Sequence, residues 1–308
     1  MINLKKVLIV LILFFVGSEF VFAEEMDVDC SDTLRKGSTG DSVEILQKKL
    51  NEYMDCSLDV DGIFGNKTYA CVVKFQDRYN LNPDGIVGKK TCKKLNSNLE
   101  IIKEDNTSIS DGNYIVVTSD NVDIRKGISK ETRVVEEASM GDIYSYEKVV
   151  NINGGSWYKL ILDDGYGYIS VEDAAKRFIL LDISEQRLIY FKNKKVILDT
   201  NVVTGLKGEN DTPDGHYMLY VSNKELDRTL RGYNDDGSID YESPVDYWMP
   251  FITSRGIGFH DASWRSEDEF NDSTYIYNGS HGCVNMRHDD AKLLYNKLNK
   301  DTDVIVKE

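Results

Sequence analysis

The 308-residue chain is 41% hydrophobic and 29% charged, with only 4 Pro. That globular composition excludes a wholly disordered, collagen-like or multi-span membrane protein, and the length accommodates two domains or three small ones. Lys+Arg 37 against Asp+Glu 52 leaves a net charge of −15. Bulk attraction to phosphate is therefore missing, and a nucleic-acid role falls away.

Residues 1–23 have the layout of a secretory signal peptide. Lys5 and Lys6 make a basic start, Val7 to Val16 is an apolar run, and Val21-Phe22-Ala23 offers small residues before an acidic stretch. The run is short for a bilayer span, and Glu19 interrupts its continuation. The expected mature chain is 24–308, exported and either secreted or wall-associated.

Export changes how the five cysteines read. Cys30, Cys56, Cys71 and Cys92 cluster together, while Cys283 stands alone near the other end. An even cluster in an exported small domain predicts two disulfides with three possible pairings. Cys30–Cys92 and Cys56–Cys71 is the preferred one, the first joining the ends of the domain. Zinc fails as an alternative, because no pair has C-x-x-C spacing and no His lies in the segment.

The same segment carries an internal repeat. Val60-Asp61-Gly62-Ile63-Phe64-Gly65-Asn66-Lys67-Thr68 returns as Pro83-Asp84-Gly85-Ile86-Val87-Gly88-Lys89-Lys90-Thr91. Each copy is an Asp-Gly turn feeding a helix. Thr68, Cys71, Val72 and Phe75 make one helical stripe; Val43, Leu46, Leu50 and Tyr53 make another, with Asp41 or Ser42 as its cap. The expectation is a small all-α, three-helix domain over 31–98. With its opening Leu34-Arg35 through Leu46-Gln47, it resembles the peptidoglycan-binding domain family.

Residues 99–112 are polar and aperiodic, a linker. Beyond them, short alternating runs broken by Gly and Asp predict small antiparallel strands. Val122–Arg125, Gly141-Asp142, Trp157–Lys159 and Gly165–Ile169 fall at regular intervals. This stretch, 113–173, resembles a bacterial Src-homology-3-like domain, which implies a small all-β barrel.

The remainder, 176–308, is also strand-rich. Phe178–Asp182 and Gln186–Phe191 predict a hairpin, Val196–Val203 a further strand, and Thr212-Pro213-Asp214-Gly215 a turn into the strand His216–Val221. Asp289 is placed to cap a helix carrying Ala291, Leu294 and Leu298. The polar, aromatic stretch 222–250 reads as a long functional loop or lid. Within it, Asn234–Ile239 mimics part of a calcium loop, but Gly232 and Ser243 stand where acidic ligands belong, so it reads as a turn.

All four histidines, His216, His260, His281 and His288, lie in this last segment, as does Cys283. A nucleophilic Cys needs a base to make thiolate, a third group to hold the imidazole, and donors for an oxyanion. Ser280-His281-Gly282-Cys283 is a tight turn able to aim successive N–H groups at one point. Cys283 with His260 or His281 is thus the best nucleophile–base pair in the chain. A lone Cys is more often a small buried hydrophobe, and His281, Cys283 and His288 lack the spacing of a metal site.

His260 with Ser280-His281-Gly282-Cys283-Val284-Asn285, and Thr212-Pro213-x-Gly215-x-Tyr217, resemble the L,D-transpeptidase catalytic domain, the YkuD-like family. The acidic Glu267-Asp268-Glu269 stretch lengthens the interval between His260 and Ser280. The resemblance implies a mainly-β domain in which Cys283 is the nucleophile and His260 the general base. It implies that the backbone carbonyl of Asp261 orients the imidazole, and that His281, Gly282 and Cys283 shape the oxyanion pocket. Asn285 would support the turn, and Ser280 and Asn285 would face substrate. Neither metal nor cofactor is implied. The partner would be peptidoglycan, cross-linked between third residues of its stem peptides, and a carbapenem would acylate the thiol. Three rivals remain: an L,D-carboxypeptidase of the same fold, a Cys–His wall endopeptidase, and a non-catalytic wall-anchoring protein. The endopeptidase is disfavoured because its Cys normally precedes its His.

Overall fold

The computed structural model describes residues 27–54, 56–97, 111–152, 155–233 and 236–308. The expected signal peptide and most of the expected linker lie outside them. So do Asn234 and Asp235 of the calcium-like run.

Three helices make the N-terminal module: α1 (Asp41–Met54), α2 (Asn66–Arg78) and α3 (Lys89–Leu95). The two predicted stripes are buried as expected. Asp41 is the first helical residue and not the cap; the N–H groups of Val43 and Glu44 bond back to the Gly40 carbonyl. The duplicated turn is explained by two buried glutamines. Gln47 Nε2 donates to Asp61 Oδ1 (2.8 Å) and to the Ile63 carbonyl (3.1 Å), while its Oε1 accepts from the N–H of Gly62 (2.9 Å). Gln76 repeats this on the second copy, reaching Asp84 Oδ1, the Ile86 carbonyl and the N–H of Gly85. Gly85 sits at φ +69°, and a Cβ there would lie 2.0 Å from the Tyr69 ring. Only glycine completes that turn. Disulfides Cys30–Cys92 and Cys56–Cys71 close the module.

The middle module is all β: β1 (Tyr114–Val117), β2 (Val122–Arg125), β3 (Val134–Ala138), β4 (Ile143–Ile152), β5 (Gly155–Leu162), β6 (Gly165–Ser170) and β7 (Ala174–Ala175). They form one sheet in the order β3-β2-β6-β5-β4-β1-β7, burying Ile115, Ile124, Leu160 and Ile169.

The C-terminal module joins two sheets. The first contains β8 (Phe178–Asp182), β9 (Arg187–Lys192), β10 (Lys195–Asn201) and β11 (Gly215–Leu219). The second contains β12 (Glu225–Tyr233), β13 (Ile239–Ile252), β14 (Ile257–Asp261) and β15 (Val284–Met286). Between β14 and β15 lies the short α4 (Tyr275–Asn278); α5 (His288–Lys297) and β16 (Thr302–Lys307) follow. The sheet orders are β10-β9-β8-β16-β11 and β12-β13-β14-β15. Their shared core includes Tyr190, Met249, Phe259, Val284, Leu294 and Val304.

Two expectations are corrected here. The stretch 222–250 is not a loop: β12 and β13 pair in antiparallel register from Glu225↔Trp248 to Tyr233↔Ile239. The backbone groups that the two strands turn toward each other are paired, and the outer edge of β12 and its exposed polar side chains face water. Nor does Asp289 cap α5. Arg287 is the cap and Asp289 lies in the first turn, where its charge meets the positive end of the helix.

Candidate active site

The site is built where β14 and β15 run parallel. Their register sets Phe259 opposite Val284 and His260 opposite Asn285, and Cys283 immediately precedes β15. The turn carrying Cys283 is held from several sides. The Ser280 hydroxyl donates to the Cys283 carbonyl and accepts from the N–H of Gly282 (3.0 Å). The buried Thr212 hydroxyl donates to the Gly282 carbonyl (2.9 Å) and accepts from the N–H of Gly205 (3.0 Å). Gly282 adopts φ +108°, a conformation that only glycine takes without strain.

Three sequence expectations change in detail. Ser280, not Asn285, supports the turn with its side chain. The N–H of Gly282 is taken by Ser280, so it is not free for an oxyanion. The His281 ring is exposed and stacks on Tyr241 of β13 with centroids 4.6 Å apart.

His260 is buried, 3% exposed. Its Nδ1 lies 2.8 Å from the Asp261 carbonyl oxygen. A carbonyl only accepts, so Nδ1 carries the proton and Nε2 is left with its lone pair. That lone pair receives the side-chain amide of Asn285, 3.1 Å away. Burial pulls the imidazole below its ordinary range, against the opposing pull of Asp261, so it is neutral at neutral pH. The carboxylate of Asp261 meanwhile accepts from the N–H groups of Asp246 (2.9 Å) and Tyr247 (2.8 Å), tying β13 to the site.

Cys283 is the free cysteine among the described residues, and its thiol faces the Gly256 carbonyl at 3.5 Å. The residue surface is half-buried, yet protein surrounds the sulfur closely enough to push its pKa up to about 11. The resting site therefore pairs a neutral thiol with a neutral imidazole. Both line a cavity of about 220 Å³ with Leu230, Tyr241, Trp264 and His281.

The other two histidines lie outside this cavity. His216 pairs with Asp303 (2.9 Å), and His288, at the start of α5, pairs with Asp246 (2.9 Å). Sequence reasoning missed Arg265, whose Nε donates to Asn285 Oδ1 at 2.8 Å. The Ser266-x-x-Glu269 spacing, a capping-box pattern, was the available signal that this acidic stretch is ordered.

Residues 176–306 match the L,D-transpeptidase catalytic domain family, and residues 39–95 match a putative peptidoglycan binding domain. The C-terminal module belongs to the L,D-transpeptidase catalytic domain family. The chain is 42% identical to the catalytic domain of an Enterococcus faecium L,D-transpeptidase solved as its ertapenem-acylated form, covering 43% of this chain and 97% of that one with a TM-score of 0.37. It is 32% identical over 102 residues to a probable L,D-transpeptidase 3 of Mycobacterium tuberculosis, covering 32% of this chain and 35% of that protein. It is 37% identical over 87 residues to a spore cortex-lytic enzyme of Bacillus subtilis, covering 28% of each. The chain spans from 26% to 53% of the length of the first curated relatives it matches. Within this L,D-transpeptidase module, Cys283 and His260 share one cavity.

Proposed function

We propose that the chain is an exported L,D-transpeptidase that joins third residues of neighbouring peptidoglycan stems through a Cys283 thioester. The observation that carries this is the imidazole: Nδ1 is anchored on the Asp261 carbonyl, so Nε2 is the basic nitrogen in a cavity shared with Cys283.

His260 Nε2 exchanges the Asn285 amide for the thiol proton as the donor stem enters. The thiolate adds to the carbonyl carbon of the third residue, a diamino acid, and the tetrahedral oxyanion is received by the N–H groups of His281 and Cys283. On collapse, imidazolium gives its proton to the departing amine of the terminal D-Ala, and the thioester remains. The side-chain amine of a second stem then attacks the thioester and loses its proton to His260. The thiolate leaves and recovers that proton. One peptide bond is broken and one is made, so no external energy source is consumed.

The N-terminal module would hold the enzyme on the wall polymer. The middle module, read as Src-homology-3-like, would add a second contact. A family neighbour acylated by ertapenem supports a carbapenem as an acylating inhibitor.

The test is mass spectrometry of products formed from purified disaccharide-tetrapeptides. Dimers carrying one fewer D-Ala support the proposal. Trimmed monomers alone would reassign the protein as an L,D-carboxypeptidase, and unchanged substrate would leave a wall-anchoring role.

A further inference from the structure

Asn285 has an amide whose two ends look alike in shape but differ in chemistry, and its orientation decides what His260 is. Nε of Arg265 can only donate, so the atom 2.8 Å from it must be Oδ1. Nδ2 then faces His260 and needs an acceptor there, which leaves Nε2 without a proton. The proton must sit on Nδ1, as the Asp261 carbonyl requires independently. An always-charged residue at one end and a carbonyl at the other thus specify the same tautomer.

Arg265 is itself held. Its side chain is 6% exposed, and Nη1 lies 3.2 Å from Glu269 Oε1. That carboxylate also accepts from Asn278 Nδ2 (2.7 Å), from the N–H of Ser266 (2.8 Å) and from the Ser266 hydroxyl (3.1 Å). The stretch that lengthens the interval before the catalytic turn therefore ends in a fixed carboxylate, aimed at the one arginine behind the base.

We propose that Arg265 and Glu269 are positioning residues: Arg265 orients Asn285 so that an amide N–H and not an oxygen faces Nε2 of His260, and Glu269 offsets the arginine's charge, keeping the imidazole basic enough to take the thiol proton. This rests on the reading of His260 as the base. The charged and titratable groups around the imidazole are Asp261 on its own strand, Arg265 behind Asn285, and Cys283, His281 and Tyr241 lining the same cavity. The Asp261 carboxylate favours the imidazolium and the Arg265 guanidinium disfavours it.

The two side chains should shift the acid limb of the acylation profile in opposite directions. Glu269→Gln uncovers the guanidinium charge, and the limb should move to lower pH by about one unit, with the plateau rate roughly tenfold slower. Arg265→Met removes a positive charge and frees the amide of Asn285 to turn its oxygen toward Nε2. The limb should then move to higher pH, because an oxygen facing Nε2 favours the imidazolium while Nδ1 keeps its proton on the Asp261 carbonyl. Arg265→Lys keeps both charge and donor and should restore the limb to near its original position.

The experiment measures carbapenem acylation by intact mass from pH 4.5 to 8 in the full mature chain. In parallel, proton–nitrogen correlation spectra of histidine-labelled protein report the protonation of His260 across the same pH range without any turnover. A limb that does not move in either variant, or moves the same way in both, overturns the proposal, as does a His260 ring that protonates at the same pH in Arg265→Met as in the wild type. Should Arg265→Met fail to fold, Glu269→Gln decides alone: a limb that stays or rises overturns it. Failure of the base assignment shows separately, as normal acylation by His260→Ala.

Discussion

Lys74 of α2 reaches Asp272 of the catalytic module at 2.9 Å, and beside this pair Ala70 and Val73 pack into the catalytic module's own hydrophobic cluster. One helix thus serves two cores: Cys71, Val72 and Phe75 face the helical module, and Ala70 and Val73 face the enzyme. Placing a charge on the second face alone should part the modules without melting either. For Val73→Asp we expect unchanged helix content, a larger radius of gyration by small-angle scattering and faster proteolysis between the modules. A burial loss of this kind is worth about 2–3 kcal/mol. An unchanged radius would show that the contact does not hold the modules together.

The reacting pair separates by substitution. Cys283→Ala should abolish both cross-linking and carbapenem capture. His260→Ala should slow acylation by roughly a hundredfold to ten-thousandfold, since unassisted thiolate is scarce at neutral pH. His288→Ala should change little, because His288 pairs with Asp246 outside the cavity. Intact-mass kinetics rank the three directly. Equal damage from His288→Ala and His260→Ala would mean that the base is misassigned.

Alkylation should divide the cysteines four and one. In native, unreduced protein iodoacetamide should label Cys283 only, the other four being paired. With the thiol pushed up to about 11, the labelling rate should climb about tenfold per pH unit between 7 and 10. A plateau near neutrality would instead reveal a thiolate–imidazolium pair in the resting enzyme.

Burial lowers the pKa of His260, so the folded state binds its proton less readily than the unfolded state does. The sign follows: stability is full above the unfolded value of about 6.5 and declines as pH falls below it. His288, raised chiefly by its hydrogen bond to Asp246, works in the opposite sense, and its exposure keeps that contribution small. Urea unfolding of the catalytic module at pH 7.5 and 5.5 should show a loss in the wild type that is flattened in His260→Gln. An equal loss in both would assign the acid sensitivity to other groups.

Much of this architecture was legible because it rests on periodic burial. The stripe Val43, Leu46, Leu50 and Tyr53 is buried along one side of α1, and the hairpin of β8 and β9 lies where its apolar runs placed it. Residue types alone paired Cys283 with His260 or His281, because nucleophilic chemistry restricts the candidates, and the resemblance singled out His260, which lines one cavity with Cys283. The hairpin of β12 and β13 was not: most of β12 is exposed on both faces, so it carries no alternation to read. The roles of Arg265 and Glu269 were equally hidden. They depend on a hydrogen bond from Arg265 to Asn285 across separate segments, and no local pattern encodes such a bond. Gln47 and Gln76 share this property, their partners lying in turns that the helices approach only after folding.

The resting state of Cys283 also bears on endurance. Peroxides and other oxidants attack the thiolate, starting a sequence that passes through sulfenic acid to irreversible sulfinic and sulfonic forms. With a pKa of about 11, only about one thiol in ten thousand is ionised at pH 7. On the proposed reading, an exported nucleophile with no neighbouring cysteine to rescue it would spend the time between turnovers in its least oxidisable form. Reactivity would then be confined to the moments when a substrate occupies the cavity.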